Sequence, residues 1–371
     1  MIWSPQQETA LREVKRWLNT RNDKQVFRLF GYAGTGKTQL AKALTDEIKG
    51  TVLYGAFTGK AALQLRKKGC GDAQTLHSMI YKSEVDESTG EAVFTLNQDC
   101  ELSRAKLLVV DEVSMVDKEL ADDLMSFGKR ILVLGDPAQL PPVNGEGFFI
   151  NAAPDVMLTE VHRQARDNPI TRMSMDVREG KRLQRGHYGE SMVICRDDVS
   201  QEELREMVLD ADQVLCGMNK TRAAFNSRIR HLKGLAGDTV KFHPAISDRL
   251  ICLRNDREKR LFNGGLWDVH AVADKMGRID MVLGSLDESG ITASVQVREE
   301  FFCNRERELE WRERRGTQEF AFGWAITVHK SQGSEWSNVI VFDESGTFRE
   351  SRDKWLYTAI TRAAEKVTVV Q

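Results

Sequence analysis

Short apolar runs recur along the chain, and each gives way to a turn and then to a stretch with helical spacing. The run at 26–30 meets Gly31, and residues 38–50 then read as a helix closed by Gly50. The run at 51–57 precedes a helical stretch at 61–69, residues 107–110 end at Asp111, and residues 131–134 end at Gly135. These runs are unbroken rather than alternating, which marks strands covered on both faces. Strands that alternate with helices predict a parallel sheet. The rhythm returns at 213–217, followed by a helical stretch, and again at 338–342 and 367–370. The pattern predicts an α/β chain of two such units, 1–165 and 166–371, joined near residues 160–175.

Two stretches break the rhythm. Residues 79–105 hold two short extended runs around a Ser-Thr-Gly turn, which predicts a β-hairpin. Residues 238–318 are rich in short alternating runs with turns at FNGG and DESG, which predicts a small all-β insert.

Composition changes this picture little. The chain has 371 residues, 41% hydrophobic and 29% charged, a balance that supports a sizeable core. A formal net charge of -2 excludes a globally basic surface, so any phosphate-binding face has to be a local groove. The six cysteines (Cys70, Cys100, Cys195, Cys216, Cys252, Cys303) form no CxxC pair and read as reduced packing residues. The histidines show no metal-ligand spacing. No signal-peptide run opens the sequence and no stretch reaches the length of a membrane span, so the expected location is cytoplasmic.

The candidate chemistry lies at the strand ends. Residues 31–38, GYAGTGKT, fit G-x-x-x-x-G-K-[ST], with an apolar run before and a helical stretch after. Gly34, Thr35 and Gly36 would let backbone N–H groups close around a polyphosphate at a helix N-terminus. Lys37 would neutralise the terminal phosphates of ATP, and Thr38 would reach Mg²⁺. Residues 107–117, LLVVDEVSMVD, deliver two adjacent carboxylates at the end of a buried strand. Asp111 would hold Mg²⁺, and Glu112 would orient and deprotonate an attacking water. The pair argues for hydrolysis, because a protein that only held nucleotide would have little use for Glu112.

Further motifs follow in order: TGKAA (58–62), TLHS (75–78), GDPAQLPP (135–142), VHRQ (161–164), AITVHKSQGSEW (325–336) and YTAITRA (357–363). With the two above, this ordered set resembles the superfamily 1 DNA helicases of the 5′→3′ group, the RecD/Dda-like family. The resemblance covers nearly the whole chain. It implies two RecA-like domains with ATP between them and single-stranded DNA across their top. It also implies a β-hairpin insert in the first domain, where it would act as a wedge, and a small β-barrel insert in the second.

The same resemblance assigns residues. Gln7, in QETA, would contact adenine. Gln139, in a turn stiffened by Pro137, Pro141 and Pro142, would touch the γ-phosphate and report it to the strand-binding surface. Arg163 and Arg362 would reach the γ-phosphate from the second domain, and Glu335 would lie near the ribose. The strand-to-helix junctions at Thr58 and Lys60, and at Thr75 and His77, suit contacts to DNA phosphates. Asn219, Thr327, His329 and Lys330 hold the matching positions in the second domain. Phe94, the most exposed-looking aromatic of the hairpin, would either stack on the base pair at a fork or pack the hairpin onto its own domain.

The reading that results is a monomeric, ATP-dependent 5′→3′ translocase and DNA helicase of a bacterial or phage-infected cell. Its partners would be single-stranded and fork DNA, with replication, repair or recombination proteins. Three alternatives stand beside it: a translocase that strips proteins from DNA without strong unwinding, an RNA-directed helicase, and a nucleotide-dependent switch with no motor action.

Overall fold

The computed structural model describes residues 3–371 except 22, 86–91, 143–146, 161–167, 236–241, 257 and 276. Among them, two six-stranded sheets organise the chain. The first comprises β1 (Val26–Gly31), β2 (Val52–Ala56), β3 (Gln74–Thr75) and, past the hairpin of β4 (Tyr81–Val85) and β5 (Ala92–Leu96), β6 (Leu107–Asp111), β7 (Arg130–Gly135) and β8 (Val156–Leu158). Its order is β3-β2-β6-β7-β1-β8, and all its pairs are parallel.

Alternation sorts the side chains of these strands onto two faces. Phe30, Leu108, Val110, Ile131 and Val133 pack one cluster with Leu120 and Leu124 of helix Lys118–Ser126. Phe27, Leu29, Leu107, Val109, Leu132 and Leu134 pack the other with Val14 and Trp17 of helix Pro5–Asn19 and Leu40 and Leu44 of helix Lys37–Thr45. Both faces are dry, which is why the central strands read as unbroken apolar runs.

The second sheet comprises β9 (Gly186–Tyr188), β10 (Ser191–Ile194) and β11 (Gln213–Cys216), then, beyond five intervening strands, β17 (Ala325–Thr327), β18 (Trp336–Phe342) and β19 (Ala363–Val370). Its order is β17-β11-β18-β19-β10-β9, parallel except for the β9–β10 edge. The intervening strands are β12 (Arg249–Cys252), β13 (Leu266–Lys275), β14 (Arg278–Ser285), β15 (Thr292–Arg298) and β16 (Phe320–Phe322). They form an antiparallel sheet in the order β15-β14-β13-β12-β16. A bridge from Val297 to Gln318, just ahead of β16, brings the two edges of this sheet together. Its core includes Trp267, Val269, Leu283, Val295 and Phe320.

Some expectations shift. The helix expected over 38–50 ends at Thr45, where the Thr45 hydroxyl donates to Lys42 O at 2.8 Å, and the chain then turns towards β2. The hairpin strands occupy residues 81–85 and 92–96, narrower than 79–105, with its tip outside the described residues. The last strand of the antiparallel sheet lies past residue 318.

Candidate active site

β1 ends at Gly31, where a Cβ would fall 2.6 Å from Thr35 Oγ1 and 2.8 Å from Leu158 Cβ, so only glycine fits the turn. The loop then passes through Gly36 at φ 78, a left-handed conformation that glycine adopts without strain, and enters helix Lys37–Thr45. Lys37 Nζ folds back onto the loop, donating to Gly31 O at 2.6 Å and to Tyr32 O at 3.1 Å. The Thr38 hydroxyl donates to Asp111 Oδ2 at 2.8 Å. Asp111 Oδ1 in turn accepts the Glu112 N–H at 2.9 Å.

Glu112 sits at φ 53, ψ 50, a left-handed conformation that costs a non-glycine residue on the order of 1 kcal/mol. That turn accompanies a carboxylate that faces the second sheet, with Oε1 3.7 Å from Arg362 Nη1. Burial pushes the Glu112 carboxyl above its ordinary range, and the Arg362 guanidinium opposes that rise. Arg362 is 6% exposed and held by three oxygens: Thr358 O, Ser334 O and Thr361 Oγ1. The cleft between the sheets has a volume of about 990 Å³. The P-loop, Asp111, Glu112 and Gln139 line it on one side, and Ser334, Glu335 and Arg362 on the other.

The turn after β7 carries Gln139 into this cleft. Asp136 shapes the turn: its Oδ1 accepts the Ala138 N–H and its carbonyl accepts the Gln139 N–H. The second unit grips the same turn, since Leu140 N–H donates to Thr358 Oγ1 and Gln332 Nε2 donates to Leu140 O, both at 2.9 Å.

Three junctions outside the cleft share one local geometry. Thr58 after β2, Thr75 at the end of β3 and Thr327 at the end of β17 each cap a following helix, accepting from the N–H of Ala61, Ser78 and Lys330. Among the residues singled out beside them, His77, Asn219 and Lys330 are exposed, and His329 is half-buried against the Phe348 ring. Phe94 is 66% exposed, so it does not pack the hairpin onto its own domain.

Comparisons with known proteins match this layout. A family model described as an AAA domain matches residues 3–195, just over half the chain, and one described as a UvrD-like helicase C-terminal domain matches residues 322–370. The ATP-dependent RecD2 DNA helicase of Deinococcus radiodurans is 30% identical over 359 residues, covering 91% of this chain and 46% of that protein. The chain belongs to the RecD/Dda-like family of superfamily 1 helicases. A second relative in this family, the ATP-dependent DNA helicase dda of phage T4, is 32% identical over 166 residues, 41% of this chain and 37% of its own length. The chain thus spans less than half the length of either helicase. A Bacteroides Pif1 helicase solved in complex with ADP-AlF3 and ssDNA shares the α/β fold at a TM-score of 0.58 and 18% identity, over 99% of this chain and 92% of that one.

Two of the residues that family resemblance nominated are buried in this structure. Lys60 is 2% exposed, with Nζ 3.2 Å from Asp287 Oδ1 and 4.6 Å from the Trp336 ring centre. Asp287, in the turn after β14, lies over the junction, and Lys67 Nζ also donates to its carbonyl. A buried ammonium needs such a partner, and the pair ties the antiparallel sheet onto the first unit. Burial correspondingly lowers the Lys60 pKa, and the Asp287 charge opposes the shift.

Gln7 is the second case. It is 3% exposed, completes a capping box with Ser4, and donates from Nε2 to Thr35 O at 3.0 Å. Its amide is committed to the P-loop backbone and is not among the groups lining the cleft. Arg163 lies outside the described residues. Asp136, Gln332, Tyr357 and Thr358 were not singled out from the sequence, although each sits inside one of the ordered motifs.

Proposed function

We propose that this chain is an ATP-driven motor that moves 5′→3′ along single-stranded DNA and separates duplex DNA ahead of it. The observation that carries the reading is the division of the hydrolytic groups between two sheets. Thr38, Asp111 and Glu112 come from the first and Arg362 from the second, within reach across one cleft. A site split in this way works only when the cleft closes, which couples the chemical step to a displacement of one unit along the strand.

The residues suggest how each would act. Thr38 and Asp111 are paired oxygen donors of the kind that Mg²⁺ takes, so they would hold the ion, which supplies charge neutralisation on the phosphates. The P-loop amides and Lys37 would bind the phosphates, with Lys37 exchanging the Gly31 and Tyr32 carbonyls for phosphate oxygens. Glu112 would take the proton from the attacking water. Arg362 would leave Glu112 for the γ-phosphate as ATP fills the cleft, freeing the base and stabilising developing charge in one movement. Gln139 would report the γ-phosphate, and Arg163 would join Arg362. Glu335, an exposed residue at the rim, suits the ribose.

The finer architecture follows from the same reading. Residues 1–165 and 166–371 are the two RecA-like domains, the hairpin is the wedge, and the antiparallel sheet is a small barrel. The DNA track would run over Thr58, Thr75, His77, Asn219, Thr327, His329 and Lys330, gripping phosphates while bases stack. Fork DNA is the natural substrate, in a cytoplasmic setting and with the chain acting as a monomer. The first test is ATP hydrolysis with and without single-stranded DNA: strong stimulation supports a motor, and hydrolysis indifferent to DNA removes it.

Phe94 separates unwinding from plain translocation. Phe94→Ala is expected to reduce unwinding of a forked duplex by about tenfold, from the loss of about 1–3 kcal/mol of base stacking, while DNA-stimulated hydrolysis stays intact. Equal loss of both activities would sink the wedge role. Unchanged unwinding would remove the wedge role too, and a wild-type chain that hydrolyses ATP on DNA but leaves the fork intact would favour the protein-stripping translocase.

A further inference from the structure

The Tyr357 hydroxyl joins parts of the molecule that are far apart in sequence. It accepts the Ala33 N–H of the P-loop at 2.8 Å and donates to Asp136 Oδ2 at 2.8 Å. Tyr357 is 1% exposed and Asp136 3% exposed, so no solvent competes for these bonds. Asp136 in turn sets the turn that carries Gln139, as its bonds to Ala138 and Gln139 show. Tyr357 lies on helix Arg352–Ile360, and its neighbour Thr358 takes the Leu140 N–H on one side and supplies the carbonyl that holds Arg362 Nε on the other.

We infer that Tyr357 is a positioning residue that ties the P-loop and the Gln139 turn to the helix that holds Arg362, so that Gln139 and Arg362 reach the nucleotide together. The inference rests on the reading of the cleft as an ATP-hydrolysing site. Tyr357 is buried behind the residues that line the cleft and acts through Asp136 and the Ala33 amide. A hydroxyl that both accepts and donates fixes the relative positions of three segments with one atom. The phenol ring alone would fill the same space without fixing them. The bonds cross between the two sheets, so any relative motion of the units is passed to the Gln139 turn.

The test is a double-mutant cycle of Tyr357→Phe and Asp136→Asn, read as kcat and KM for ATP at saturating oligo-dT, with thermal unfolding as the check on folding. Both variants keep the shape of the side chain, and Asp136→Asn carries the same expectation should Tyr357→Phe not fold. Tyr357→Phe is expected to lower kcat by about tenfold or more, as a misplaced catalytic group does, with KM moved by less than about threefold. The double variant is expected to fall no further than the worse single variant, because the Tyr357–Asp136 bond is the one that both changes disrupt. A merely structural role gives losses that multiply, or a loss carried by KM, and either result overturns the inference. Unchanged kcat in Tyr357→Phe, with the wild-type chain hydrolysing ATP, overturns it alone. A wild-type chain that does not hydrolyse ATP overturns the reading of the cleft and the inference with it.

Discussion

Arg362→Ala is expected to lower DNA-stimulated ATP hydrolysis by about 1,000-fold or more, the loss seen when an arginine that stabilises phosphoryl-transfer charge is removed. Two effects combine. The γ-phosphate loses a forked donor that has been held in place by Thr358 O, Ser334 O and Thr361 Oγ1. Glu112 loses the cation that opposes its desolvation, so its carboxyl moves further from the ionised form that a base requires. Arg362→Lys is expected to rescue little, because one ammonium cannot satisfy those three oxygens and reach across the cleft as well. Steady-state hydrolysis at saturating single-stranded DNA measures the loss. A drop smaller than tenfold in Arg362→Ala would remove this residue from the chemistry.

Glu112→Gln is expected to lower the same rate by about 100- to 10,000-fold, the range for a positioned general base, while a fluorescent ATP analogue still binds. Retained binding matters as much as lost turnover, because loss of both would mean only a collapsed site. The pH profile provides a further check. The active form of Glu112 is the carboxylate, so activity is present above its pKa and is lost as pH falls through it. Burial raises that pKa, so the acid limb of kcat/KM is expected above the ordinary carboxylate range. Arg362→Ala removes the opposing charge and is expected to push the limb higher still. An acid limb in the ordinary carboxylate range in the wild-type chain would contradict the assignment.

Much of the nucleotide side of this site was legible in the sequence, and the reason is local. The P-loop, Asp111 and Glu112 each occupy a strand end, and the central strands Leu107–Asp111 and Arg130–Gly135 are apolar along their length because both faces are covered. Short edge strands were not legible. Gln74–Thr75 has two residues, and Gly186–Tyr188 and Ala325–Thr327 have three each, too few to show any period. Helix Lys37–Thr45 stops ahead of Gly50 because the chain has to turn back into the sheet, a tertiary demand that helical spacing does not register.

The strand surface was legible in part. Motif spacing placed Thr58, Thr75 and Thr327 at strand-to-helix junctions, where they stand as N-caps. It could not show that the turn bearing Asp287 folds over Lys60, since nothing near Lys60 in the sequence announces a partner in a separate sheet. Tyr357 and Asp136 escaped notice for a related reason. They are 221 residues apart, and a tyrosine or aspartate inside a motif looks like packing or capping until the fold brings the two together.

The measurement that bears most directly on the central claim is ATP-dependent unwinding of two partial duplexes that differ only in the end carrying the single-stranded tail. Unwinding of the 5′-tailed duplex alone is the expected result, and it would establish the motor and its direction together. Unwinding of the 3′-tailed duplex would contradict the proposed direction, and no unwinding of either would contradict strand separation as the function of this chain.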